Sequence, residues 1–155
     1  MKKKHLMTLT KWALFIIYMM LLFYVVFFAE GMGRAEAASG YKYNLTLFRE
    51  IKRYWRYLGH FDSLGRIAFL NIIGNVLAFI PFGIFLPWLS DGRIKFIPAF
   101  ICGFALSLTI ETVQLIFKVG CFDVDDLVLN VVGAVCGYIL YIIVHGIIKL
   151  IKKDR

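Results

Sequence analysis

Charge and cysteine are both scarce in this chain. Only 18% of its 155 residues are charged and 61% are apolar, against about 25% and about 45–50% in an ordinary soluble domain. Disorder is excluded, because it needs low hydrophobicity. A soluble monomer is excluded as well, since a chain this short buries only about two-thirds of its surface on folding and the apolar excess exceeds what one small core takes up. Three cysteines are too few, and odd in number, for a disulfide framework, and no Cys-x-x-Cys or Cys/His spacing marks a zinc site. Nor is there a series of alternating segments of about ten residues, as a membrane barrel needs. Internal repeats and low-complexity tracts are also missing.

What the chain does contain is four apolar runs, Trp12 to Ala29, Ile67 to Leu89, Phe96 to Phe117 and Leu127 to about Ile148. Each is long enough to cross about 30 Å of hydrocarbon as a helix. Pro81 and Pro87 interrupt the second, where the Pro81-Phe82-Gly83 break predicts a kink, and Pro98 falls in the first turn of the third, where its missing N–H costs little. The fold class expected is an all-α polytopic membrane protein with four transmembrane helices and an outer interfacial amphipathic helix. Residues 1–43 hold the basic tail, first span and linker, 44–145 the main domain, and 146–155 a basic tail.

Basic residues orient the spans. Lys2, Lys3, Lys4 and Lys11, then Arg93 and Lys95, then Lys149, Lys152, Lys153 and Arg155 share one side, more densely than the basic residues of the other side. Both termini are therefore expected to be cytoplasmic. A net charge of +8 and a pI near 9.5 would suit nucleic acid, but this charge flanks the spans, where it meets anionic headgroups, and no nucleic-acid fingerprint is present. A signal peptide is the other reading of the first span, given Ala35-Glu36-Ala37. The run is longer than the usual 7–15 residues and the Ala-x-Ala lies well past its end, so a retained anchor is expected.

Between the first two spans Leu47, Phe48, Ile51, Tyr54, Trp55 and Leu58 recur at helical intervals, while Arg49, Lys52, Arg53 and Arg56 fill the other face. The pattern predicts a helix lying in the membrane interface. Its basic face is either a solvated anchor or a patch that contacts an anionic headgroup.

Polar side chains inside the runs conflict with lipid and are expected to face the bundle interior. Asn71 and Asn75 are four apart, Glu111 and Gln114 three apart, Asp126 and Asn130 four apart, and each pair shares a helix face. Glu111 lies six residues before Phe117, about 9 Å below its helix end. With Asp123 and Asp125 in the neighbouring loop, these groups fall at one depth on three helices and predict one outward polar cluster that binds a ligand. Read alone, the amides also suit interhelical hydrogen bonds, and Asp125 or Asp126 suits the N-cap of the fourth helix. Gly133 and Gly137 form a GxxxG pair for close helix approach, within the chain or in a homo-oligomer. Cys102 and Cys136 suit apolar packing.

Four segments together resemble the VanZ-like family. Asn44-Leu45-Thr46-Leu47-Phe48-Arg49-Glu50-Ile51 is similar to its N-L-x-P-F-x-x-I stretch, without the proline. Asn71-Ile72-Ile73-Gly74-Asn75 through Phe79, Pro81 and Gly83 resembles the N-x-x-G-N-x-x-x-F-x-P-x-G core. Glu111-Thr112-Val113-Gln114 resembles the E-x-x-Q pair, and Asp123 to Gly137 the tail with Asn130, Gly133 and Gly137; Cys121 or a neighbour stands where Arg is common. The resemblance implies a bacterial cell-membrane protein and, in some members, tolerance of teicoplanin-type glycopeptides. A fold alone does not fix a function.

The expected function is a non-enzymatic envelope protein that binds a lipid-linked or cell-wall headgroup. Its partners are membrane lipids and a lipid-linked cell-wall precursor, with no nucleic acid, no cofactor and no metal. Two alternatives stay open. One is an intramembrane enzyme on a lipid pyrophosphate, using Glu111, Asp125 and Asp126, although no nucleophile is recognisable and no catalytic residue is assigned. The other is a small lipid or proton-coupled transporter using Glu111.

Overall fold

The computed structural model describes residues 2–29, 41–57, 60 and 62–153. Helix α1 (Lys2–Tyr24) ends in a π turn, Val25–Ala29. A two-residue strand β1 (Tyr43–Asn44) and a short helix α2 (Arg49–Trp55) follow. Helix α3 (Ser63–Phe69) runs through a π segment, Leu70–Gly74, into α4 (Asn75–Leu89). Helix α5 (Phe96–Phe117), strand β2 (Phe122–Asp123) and helix α6 (Val124–Lys153) complete the chain. The Ala35–Ala37 stretch and Leu58 lie outside the described residues.

Among the described residues, four helical stretches are long and apolar enough to cross a membrane: His5–Phe27, Ser63–Leu89, Phe96–Phe117 and Val124–Lys153. They hold 23, 27, 22 and 30 residues, or about 33–45 Å of helix. The third matches its apolar run residue for residue. The other three start earlier than their runs, the second and fourth because each begins at a capping aspartate rather than where hydropathy rises. Asp62 starts the second span, its carboxyl accepting the Gly65 N–H at 2.8 Å in the geometry of an N-cap. The helix continues through Pro81 and Pro87, so the proline break opens no loop. The last helix carries the basic residues Lys149, Lys152 and Lys153 within it rather than on a tail.

The closest packing is that of α4 on α6. A Cβ added to Gly133 would lie 2.2 Å from the Val76 carbonyl oxygen, one on Gly137 2.0 Å from that of Ile80, and one on Gly83 1.9 Å from that of Ala134. Backbone meets backbone along this seam, which only glycine allows. The Gly133/Gly137 pair is therefore occupied within the chain and is not a face left open for a second copy.

Helix α1 lies on the other side of α4 with a different chemistry. Phe15 and Tyr18 meet Phe85 at ring-centre distances of 5.4 and 5.5 Å, within the usual range for aromatic pairs. The Tyr18 hydroxyl donates to the Ala78 carbonyl at 2.8 Å, and Leu22 joins Phe79, Phe82, Ile110 and Ala134 in the core. Midway along α1, Lys11 pairs with Asp91 at 2.7 Å and donates to the Trp88 carbonyl at 3.0 Å. That lysine is buried, so its charge holds α1 against the α4–α5 turn. The outward faces are apolar, as at Ile16, Met20, Ile97, Ile101, Ile143 and Ile147, while acids and amides lie inside, the arrangement expected when lipid is the solvent.

The seam makes a direct prediction. Gly137→Val forces a methyl-bearing carbon onto a carbonyl oxygen and is expected to cost about 2–3 kcal/mol. Gly146→Val, where nothing lies within 4 Å, is expected to be neutral; thermal unfolding of both variants in detergent checks the contrast.

Candidate functional site

The polar groups assemble at the end of the bundle where α5 stops and α6 starts. The inward stripe of α5 carries Gly103, Ser107, Ile110, Glu111 and Gln114, all buried. These recur every three or four residues, which places them on one helix face. Glu111 is 2% exposed, and its Oε2 accepts the Asp123 N–H at 2.9 Å. One turn deeper, Asn130 of α6 donates to the Ser107 hydroxyl at 3.0 Å, both side chains buried. Asn130 thus serves as an interhelical hydrogen bond. Gln114 donates to the Val26 carbonyl at 3.3 Å, giving a partner to a carbonyl in the closing turn of α1, where main-chain acceptors run out of helical donors.

Asp123 is the N-cap of α6. Its Oδ1 accepts the Asp125 N–H at 2.8 Å, and both its oxygens lie 3.2 Å from the Asn44 amide nitrogen. Sequence spacing favoured Asp125 or Asp126 for this cap; the helix begins earlier, at Val124, so the cap moves back to Asp123. Strand β1 joins β2 in parallel, with Asn44 opposite Asp123, and the Asn44 carbonyl side-chain oxygen accepts the Thr46 N–H at 3.1 Å. That local turn is a common use of asparagine.

Asp125 is fully buried and reaches out of its own helix. Its carboxyl accepts the Phe48 N–H through a short bond, the Glu50 N–H at 2.7 Å and the Ile51 N–H at 3.1 Å. Phe48 stands in the left-handed region, with φ 62°, so its own N–H and those of Glu50 and Ile51 turn toward one point, an anion-holding nest. The cost of that conformation in a residue with a side chain is about 1–2 kcal/mol, and the carboxyl's three bonds offset it. This explains why the interfacial helix is shorter than its apolar pattern predicts. Leu47 and Phe48 belong to the entry turn, and the helix begins only at Arg49.

Asn75 and Asp126 form a second, half-buried pair, the amide donating to the carboxyl at 2.8 Å. Asn71 stands apart: in the π segment its amide turns back to the Ile67 carbonyl at 2.9 Å. Glu111, Asp125 and Asp126, the acids of the enzymatic alternative, each engage donors of their own: the Asp123 N–H, the 48–51 main chain and the Asn75 amide. Among the described residues no group of three or more His, Cys, Asp or Glu is placed to hold a metal ion. Nor, among them, is any buried side-chain N or O left without a hydrogen-bond partner.

The basic residues lie on the outside of this assembly. Arg49, Lys52, Arg53 and Arg56 are exposed, and Arg53 pairs with Glu50 at 3.2 Å. Lys52 and Arg56 line an open groove of about 530 Å³ together with Phe48, Ile51 and Trp55. Cationic and apolar side chains share this groove, so they are not divided cleanly between two faces. Asn44 and Ser107 were missed as polar members of the assembly. Ser107 was within reach, since it lies four residues before Glu111 on the same face; Asn44 was not, because its partner is 79 residues away.

These features define a helical membrane protein whose buried acids organise one end of the bundle. The VanZ/LLP1 family model matches residues 15–145, and the chain belongs to that family. It is 39% identical over 87 residues to Protein VanZ of Enterococcus faecium, a match covering 56% of this chain and 53% of that protein. The chain thus spans about half the length of this curated relative. No solved structure matches at a significant level.

Three predictions follow from this polar assembly. Asp125→Ala strands three N–H groups and is expected to cost about 3 kcal/mol, seen as faster proteolysis within residues 44–56. Asn71→Ala should change stability by less than about 0.5 kcal/mol. Burial raises the Asp123 carboxyl above its ordinary 3.8, against the opposing pull of the Asp125 N–H and the Asn44 amide. The folded chain therefore holds that proton more tightly than the unfolded one. The Asp123 contribution is fully present below pH 3.8 and is lost as pH rises through the raised folded value. Asp123→Asn should flatten the stability profile over that interval, measured by unfolding in detergent as a function of pH.

Proposed function

We propose that this VanZ-family protein sits in the cell membrane with both termini cytoplasmic. In this reading it alters susceptibility to teicoplanin-type glycopeptides by holding an anionic lipid-linked or cell-wall headgroup at the outer surface. The orientation rests on the denser basic charge beside the termini and the 90–95 turn. The headgroup sits on the exposed side of α2. The observation that carries this reading is the groove of Lys52 and Arg56 beside Phe48, Ile51 and Trp55. Its cations suit phosphate oxygens, its apolar members suit the first methylenes of a lipid, and Trp at headgroup depth is a usual membrane feature.

The acids then have a supporting role. Asp125 holds α2 in place, and Asp123 and Glu111 hold the strand and helix start from which Asp125 projects. Asn75 and Asp126, half-buried, are the members of the polar group closest to serving a ligand directly. The reading is tested by expressing the chain in a glycopeptide-susceptible bacterium and measuring teicoplanin tolerance. Reversing Lys52 and Arg56 together to Glu is expected to lower tolerance by at least about fivefold, since one cation at an anionic surface is worth about 1 kcal/mol. Reversing Arg93 at the other end should not. Unchanged tolerance in the double variant, at equal protein level in the membrane, rejects the reading.

A further inference from the structure

A second groove, unrelated to α2, runs between α1 and α5. It is an open groove of about 530 Å³, lined by Met20, Phe23 and Tyr24 of α1, Phe27 of the π turn after it, Val113 and Phe117 of α5, and Val119 just beyond. The two helices diverge for an identifiable reason. Helix α1 gives its inward face, Phe15, Tyr18, Leu22 and Val26, to the core built on α4. Leu22 meets Ile110 of α5 in that core, while the neighbouring face of α1, with Met20, Phe23 and Tyr24, borders the groove. The Gln114 amide spans the two helices at Val26 and holds them at that separation.

We propose that this groove retains one acyl chain of an anionic phospholipid, with the headgroup beside Lys118. The lining is apolar apart from the Tyr24 hydroxyl, which suits a hydrocarbon chain rather than a sugar or a peptide. The volume lies within the about 300–1,000 Å³ of ordinary ligand pockets. The charge at its mouth selects the headgroup. Lys118 falls between the lining residues Phe117 and Val119, is exposed, and its ammonium stands 4.9 Å from the Tyr41 ring centre. The turn that puts it there is the left-handed C-cap of α5, with φ 56°, a conformation that directs the chain sharply away from the helix axis. A cation stacked on an aromatic ring beside an apolar slot complements a phosphodiester with its tail below.

Native mass spectrometry of the purified full chain, titrated separately with phosphatidylglycerol and phosphatidylcholine, tests this. The wild type is expected to retain phosphatidylglycerol in preference, and K118E to lose that preference by about fivefold. V113W, which fills the slot, should lower retention of both lipids. K52E on α2 should leave the α1–α5 site unaffected, which separates this proposal from the proposed headgroup site. Equal retention of the two lipids by the wild type overturns it. So does an unchanged preference in K118E, a surface substitution that leaves the fold intact, or a preference abolished by K52E instead.

Discussion

The structure depends on one carboxyl group that serves a segment other than its own. Asp125 sits in the first turn of α6, yet its oxygens take the N–H groups of Phe48, Glu50 and Ile51. Through that contact the start of the last helix dictates where α2 begins and which way its basic residues point. The carboxyl is itself placed by a chain of bonds, from Glu111 to the Asp123 main chain and from Asp123 to the Asp125 main chain. Acid side chains that would be costly in lipid are thus enclosed and bonded, and their geometry passes outward to the surface.

This division separates two kinds of polar residue that look alike in sequence. Glu111, Asp123, Asp125 and Asn130 are buried and meet donors or acceptors of the protein itself. Arg49, Lys52, Arg53 and Arg56 face outward. The outer surface of this end presents cations and aromatic rings, with the buried carboxyl groups behind them. The attraction of an anionic partner is therefore compatible with a site rich in Asp and Glu, because their negative charge is turned toward main-chain N–H groups.

Much of the fold was legible because lipid imposes a simple pattern on a sequence. The third span could be read to the residue, while the second and fourth were misjudged at their starts, where Asp62 and Asp123 cap helices ahead of the first residue of the apolar run. The pairing of Asn75 with Asp126 fits the inference that polar residues at one depth meet. The role of Asp125 was not legible. Its spacing within the helix suggested capping its own start, and nothing local points to partners 74 to 77 residues earlier. Asn71 misled in the opposite way: four residues from Asn75 implies one face and a shared role, but its amide turns back to the Ile67 carbonyl of its own helix, while Asn75 crosses to Asp126.

The glycine seam has a mechanical consequence. With carbonyl oxygens of α4 and α6 lying where side chains would otherwise stand, these two helices have no compressible layer between them and behave as one stiff plate. Helix α1 is held instead through side chains: ring contacts, a tyrosine hydroxyl and Lys11 midway along it. Any rearrangement of the bundle is accordingly expected to be a swing of α1 against an unyielding α4–α6 frame.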